Sequence, residues 1–261
     1  MRIAAITLAI VFLTLVQTAH AHEFWIQPDH DSLRPGQLLT ARLFHGERFD
    51  GTPVPRDSRH IRRFRVQSES ARADLEGLDG ASRSFARLDQ PGTHVVSYLS
   101  NPVTQTLEPK AFEEYLAEEG LDHVIRQRRR LGESSLPGRE RYVRCAKAIV
   151  EVDAETRERD RADDLHVGLP LEIVLIDRSD STISARVTRD AVPVPGACVV
   201  AVHRDDPARL LEAQTDDGGV VRFAIESRGT WMLTTIAMER DLDDPDTDWI
   251  SFWSSTTFRV E

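Results

Sequence analysis

Among residue types able to hold a metal ion or move a proton, histidine is the one whose placement in this sequence singles out positions. Nine occur, and eight of them follow Ala21: His22, His30, His45, His60, His94, His123, His166 and His203. No two have the His-x-His or His-x-x-x-His spacing, so a metal site must be assembled from distant segments. His22 stands out because it becomes the first residue if an export signal is removed after Ala21. A terminal histidine offers its α-amine and Nδ1 to one ion in a six-membered chelate. An amine with a pKa of roughly 7.7–8.0 yields its proton to a metal near neutral pH. His203 is the preferred second ligand. It ends the apolar run Ala197–Val202 and opens the polar loop Arg204-Asp205-Asp206-Pro207, the kind of loop on which sites are grafted. Such nitrogen donors suit nickel or cobalt, with copper competing from the top of the affinity order. The expectation is that His22 and His203 meet across a domain junction, ring nitrogens roughly 3–4 Å apart.

Other candidates are weaker. His94 sits inside an apolar strand and reads as a packed or edge histidine, His123 as a solvent-facing helical residue, and His45 as a lesser alternative in a polar turn. Glu23 offers an oxygen beside His22, although strand alternation points neighbouring side chains apart. Asp216 and Asp217 precede Gly218-Gly219 and read as turn residues. The loop Asp244-Pro245-Asp246-Thr247-Asp248 imitates the start of a calcium loop, but Trp249 stands where glycine is needed and Ser255 where the bidentate glutamate belongs. Gly-x-Ser-x-Gly, glycine-rich phosphate loops, Gly-x-Gly-x-x-Gly, His-Glu-x-x-His and Cys-x-x-Cys are all absent from the sequence. No enzyme is expected. Cys145 and Cys198 fall in different halves, and whether they pair depends on whether their strands meet.

The elements that must position these residues are mostly strands. Leu38–Phe44, His60–Val66, Ser84–Leu88 and Thr93–Leu99 lie between turn signals in the first half. Tyr142–Val152 resumes strand text, and Thr182–Val187, Ala197–His203, Val220–Ile225, Thr230–Ala237 and Ser251–Val260 fill the second half. Between them, Phe112, Tyr115 and Leu116, then Leu121, Val124 and Ile125, have helical spacing, with Gly120 and Gly132 as stops. The arginines 126, 128, 129 and 130 read as a solvated helix end. The fold class is therefore mostly β: two Ig-like or transthyretin-like sandwiches, with a helical hairpin inserted in the first at about residues 110–131. The expected boundaries are a signal peptide over 1–21, a first sandwich over 22–153, a charged linker over 154–169 and a second sandwich over 170–261.

Arg2, the apolar run Ile3–Val16 and Ala19-His20-Ala21 have the three parts of a cleavable secretory signal. That run is shorter than the roughly 20 residues of a spanning helix. The expected location is the periplasm, with no membrane-spanning segment after cleavage. Thirty-three basic against 43 acidic residues give a net charge of −10, which opposes nucleic-acid binding.

The opening His22-Glu23-Phe24-Trp25 resembles that of a periplasmic domain-of-unknown-function family related to the periplasmic components of cobalt and nickel uptake transporters. Phe112-Glu113-Glu114-Tyr115-Leu116, Glu119-Gly120-Leu121, Pro137-Gly138-Arg139-Glu140, Cys145-Ala146-Lys147, Thr215-Asp216-Asp217-Gly218 and Asp248-Trp249-Ile250-Ser251-Phe252-Trp253 extend the similarity over nearly the whole mature chain. The resemblance implies a β-rich periplasmic protein handling nickel or cobalt beside a membrane metal permease. The alternative is an envelope structural or interaction module without metal. A third class, an oxidative copper enzyme with a histidine brace, lacks a second-histidine motif.

Overall fold

The computed structural model describes residues 23–153 and 165–261. His22, the signal segment 1–21 and residues 154–164 of the expected linker lie outside the described residues. The first half supplies β1 (Glu23–Pro28), β2 (Ser32–Leu33), β3 (Gln37–Glu47), β4 (Asp50–Val54), β5 (Ile61–Gln67), β6 (Arg72–Asp74), β7 (Ser84–Leu88), β8 (Gly92–Ser100) and β9 (Val103–Leu107). Helices α1 (Pro109–Glu118) and α2 (Asp122–Leu131) follow, then the long strand β10 (Gly138–Val152). The second half contains β11 (Leu171–Arg178), β12 (Thr182–Arg189), β13 (Val192–Pro193), β14 (Cys198–His203), β15 (Asp206–Gln214), β16 (Val220–Ala224), β17 (Gly229–Arg240) and β18 (Trp249–Val260).

The mostly-β, sandwich-like class with two helices is what the structure shows. The two halves are joined in a way that sequence periodicity does not convey. A ten-stranded central sheet runs β15-β14-β17-β18-β10-β8-β5-β6, with β2 and β9 also on β10. Its seam is a parallel pairing of β10 with β18, from Glu140 opposite Trp249 to Ala148 opposite Thr257. The halves therefore share one sheet across the expected linker. The four-stranded sheet of β1, β3, β4 and β7 covers one face, and that of β11, β12, β13 and β16 covers the other.

Alternation along β10 explains why this strand reads as nearly continuous apolar text. Cys145 and Ile149 belong to the core under β11 and β12, whereas Ala146, Ala148, Val150 and Val152 belong to the core under β3 and β7. A strand buried on both faces loses the polar half of its period.

The helices form where expected. Phe112, Tyr115, Leu116, Val124 and Ile125 bury against Met238 and Trp249, so the hairpin rests on strands of the second half. The solvated reading of the arginine run fails at one position. Arg128 is 1% exposed: it donates to Glu113 at 2.8 Å and to the carbonyls of Glu133 and Leu136 at 2.7 and 2.8 Å. It also lies 4.8 Å from the Phe112 ring centroid. Among the described residues no helix is long and apolar enough to cross a membrane.

Candidate functional site

The described part of the chain begins at an acidic cleft of ≈ 670 Å³. Its floor is the central sheet, through Cys198 and Val200 of β14, Leu210 and Glu212 of β15, and Trp253 and Ser255 of β18. Glu23 and Phe24 form one wall with the β3–β4 turn, and the α1–α2 turn from Ala117 to Gly120 forms the other. Ser255 fixes the start of β1 by donating its hydroxyl to Phe24 O at 2.7 Å.

Two carboxylates in this cleft are held away from their ordinary state. Burial raises the Glu23 carboxyl to about 7, opposed by a hydrogen bond from the Arg48 amide and reinforced by Glu47. The amide lies 2.7 Å from Glu23 Oε2. Burial, then the charge of Glu23, raises Glu119 to about 7. Cys198 is pushed to about 11 by burial and by Glu212, so its thiol is a poor nucleophile at neutral pH.

The turn that presents Arg48 is itself unusual. Arg48 and Phe49 both adopt positive φ, 53° and 68°, in a two-residue hairpin that ordinarily takes Asn-Gly. Phe49 offsets this cost by packing edge-on to Trp25 at 5.9 Å, with Arg204 5.2 Å from its ring centroid. Gly51 is required beneath it, because a Cβ there would come within 2.6 Å of Trp25 Cη2.

Beside the cleft, on the same face of β18 as Trp253 and Ser255, lies a buried polar cluster. Glu140 accepts hydrogen bonds from Tyr115 Oη at 3.0 Å, from Gln105 Nε2 at 2.7 Å and from the Ser251 hydroxyl. Burial raises the Glu140 carboxyl despite these donors. Trp253 stacks on Tyr115 at 5.9 Å and 9°, and the Arg144 guanidinium lies 4.8 Å from the Trp253 ring centroid. This cluster fixes the indole that the cleft exposes.

The two histidines expected as ligands fare differently. His22 lies outside the described residues. His203 is 7% exposed and sits at the opposite end of β14 from Cys198. Five residue steps of strand separate these two positions, about 17 Å. His203 Nε2 donates to Arg228 O at 2.8 Å, and the ring tilts against Trp231 at 4.9 Å. His94 is the packed residue expected, 3% exposed with Nε2 on Gln90 O. His123 is exposed and touches Met238 O. Among the described residues, no three His, Cys, Asp or Glu side chains converge to hold a metal ion.

Glu119 and Glu212 escaped the sequence reading. One signal for Glu119 was present. Glu118 and Glu119 end α1 with no basic residue in its last turn, although a helix C-terminus favours cations. A local rule broken without local compensation marks a position worth inspecting.

The model of a family described as Domain of unknown function (DUF4198) matches residues 19–239. No curated protein sequence matches the chain. Solved structures with some likeness include the D0–D1 domain of intimin, at 13% identity and TM-score 0.24, covering 90% of this chain and 97% of that one. Fibronectin(III)-like modules of Clostridium thermocellum CbhA match at 7% identity and TM-score 0.21, covering 90% and 94%. A Salmonella alpha-2-macroglobulin mutant matches at 11% and 0.23, covering 91% and 15%. Scores this low carry no argument about function.

Proposed function

The chain belongs to the domain-of-unknown-function family DUF4198, and we propose that it serves as an exported, non-enzymatic metal-binding accessory of a nickel or cobalt uptake system. The observation that carries this reading is the position of Glu23. It lines the acidic cleft together with Glu119 and Cys198, and it is the residue that follows His22 in the sequence.

After signal removal in the periplasm, His22 would contribute its amine and Nδ1, and Glu119 or Glu23 would add oxygen. Two nitrogens with carboxylate oxygen suit nickel and cobalt, and copper would compete for the nitrogens. The cleft is an open trough, which suits cargo that must be handed to a membrane permease. His203, held on Arg228 O, gives way to Glu119 as the preferred second ligand.

Calorimetric titration of the processed protein with nickel, cobalt and copper tests the reading. Submicromolar binding that is lost in His22→Ala and weakened about tenfold in Glu119→Gln supports it. Absence of binding favours an interaction module instead.

A further inference from the structure

We propose that β15 is a docking edge for an extended basic polypeptide segment, which adds as a further strand to the central sheet and places alternate side chains along the acidic cleft. This goes beyond metal binding and does not rest on it.

The edge is open. β15 is the terminal strand of the central sheet, and its nine residues are exposed or half-buried throughout. Protein edges are commonly blunted by shortness, bulges, lysine or proline. The opposite end of the same sheet is the three-residue β6, and edge strand β11 carries a bulge between Leu175 and Asp177. β15 has Pro207 and an irregular register over residues 207–209 near its start, but none of these devices from Leu210 to Gln214.

The backbone groups that would receive a partner can be assigned. Thr215 N–H donates to Ala197 O at 3.0 Å, and the ladder continues through Val199 opposite Ala213 and Ala201 opposite Leu211. Odd-numbered residues of β15 therefore turn their hydrogen-bonding groups toward β14. Leu210 and Glu212 turn theirs outward.

The cleft supplies the charge complementarity. Leu210 and Glu212 lie on the cleft side of β15, opposite Val202 and Val200. Among the described residues the lining holds Glu23, Glu47, Glu118, Glu119 and Glu212 against one guanidinium, Arg48, with Arg144 behind Trp253. A strand laid beside β15 has every second side chain on that face, so lysine or arginine at alternate positions faces a carboxylate-rich wall. Main-chain hydrogen bonds give the affinity of such added strands and alternate side chains give the choice of partner.

The test uses fluorescence anisotropy in EDTA with a labelled eight-residue peptide of alternating Lys and Val. A Glu–Val peptide and a Lys–Val peptide N-methylated at alternate residues serve as controls. The Lys–Val peptide should bind at least about tenfold more tightly than either control. Leu210→Pro, which removes an outward N–H and keeps the β14 ladder, should cost about tenfold, whereas Leu210→Ala should stay within about twofold. If Leu210→Pro fails to fold by circular dichroism, the N-methylated peptide on the unaltered protein decides. Equal binding of the methylated and unmethylated peptides, equal binding of the Glu–Val peptide, or no binding overturns the proposal.

Discussion

Lys147 Nζ lies 3.2 Å from Glu172 Oε1, and neither side chain has exposed surface. This pair joins β10 to the beginning of the second half across the residues expected to be a linker. Glu172 also accepts the amides of Val167, Gly168 and Leu169 at 2.7, 2.9 and 3.0 Å. Lys147 also reaches Leu165 O at 3.2 Å.

Removing one charge from such a pair leaves the other buried and uncompensated, which costs about 3–5 kcal/mol. Lys147→Met should therefore destabilise strongly in urea unfolding. Adding Glu172→Met should not restore stability, because three amides then lose their acceptor. A double variant as stable as the unaltered protein would show that the amides find other partners.

The two cysteines give a second prediction. Cys145 pairs with Ser254, Ser254 with Thr235, and Thr235 with Val199 beside Cys198. Three strand spacings put them about 14 Å apart. They also occupy opposite faces: Cys145 lies under β11, whereas Cys198 lines the cleft. Both are free in the structure, and a disulfide needs Cα atoms within about 7 Å. Thiol titration of protein isolated without reductant should find two free thiols after denaturation. Before denaturation only Cys198 should react, and slowly, because its thiol is pushed to about 11.

The strand positions were legible because each carries a local signal. Thr93–Leu99 is apolar on both faces since β8 is covered on both, and the helices are marked by Phe112, Tyr115 and Leu116 on one stripe. Pairing is another matter. Nothing in the period of Tyr142–Val152 states that its neighbour is the last strand of the chain, running parallel. The cleft was illegible for the same reason. Glu23, Glu119 and Glu212 come from three distant segments, and each alone resembles an ordinary surface glutamate.

A pH prediction follows from the loop between β17 and β18. Two hydrogen bonds from Arg139, at 2.9 and 2.7 Å, hold the Asp248 carboxyl below the ordinary aspartate range. Burial opposes ionisation of Asp241, but the Thr247 hydroxyl, the Asp243 amide and Arg141 together lower it too. A depressed carboxyl stabilises the fold fully above its unfolded value, 3.8, and loses that contribution as pH falls through the folded value. Urea midpoints should decline on acidification below about pH 4. Asp241→Asn should make this decline shallower, and an unchanged slope would remove Asp241 from the account.

His22 and His203 should separate cleanly when each is replaced. The Arg228 carbonyl fixes the Nε2-protonated form of His203, so only Nδ1 is left as a metal donor. The ring is nearly buried and packed on Trp231, and the backbone at Gly229 runs so close that a Cβ there would meet Nε2 at 2.7 Å. These contacts describe a residue that closes the end of β14 and β17. His203→Ala should lower stability by about 1–3 kcal/mol, from the lost hydrogen bond and ring packing. It should leave nickel affinity within about twofold, because His203 packs with Trp231 on the face of the sheet opposite the cleft. His22→Ala should do the reverse: an unchanged melting temperature without metal, and no submicromolar binding. A folded His203→Ala protein that no longer bound nickel would restore His203 as a ligand and require the chain start to lie at its end of β14.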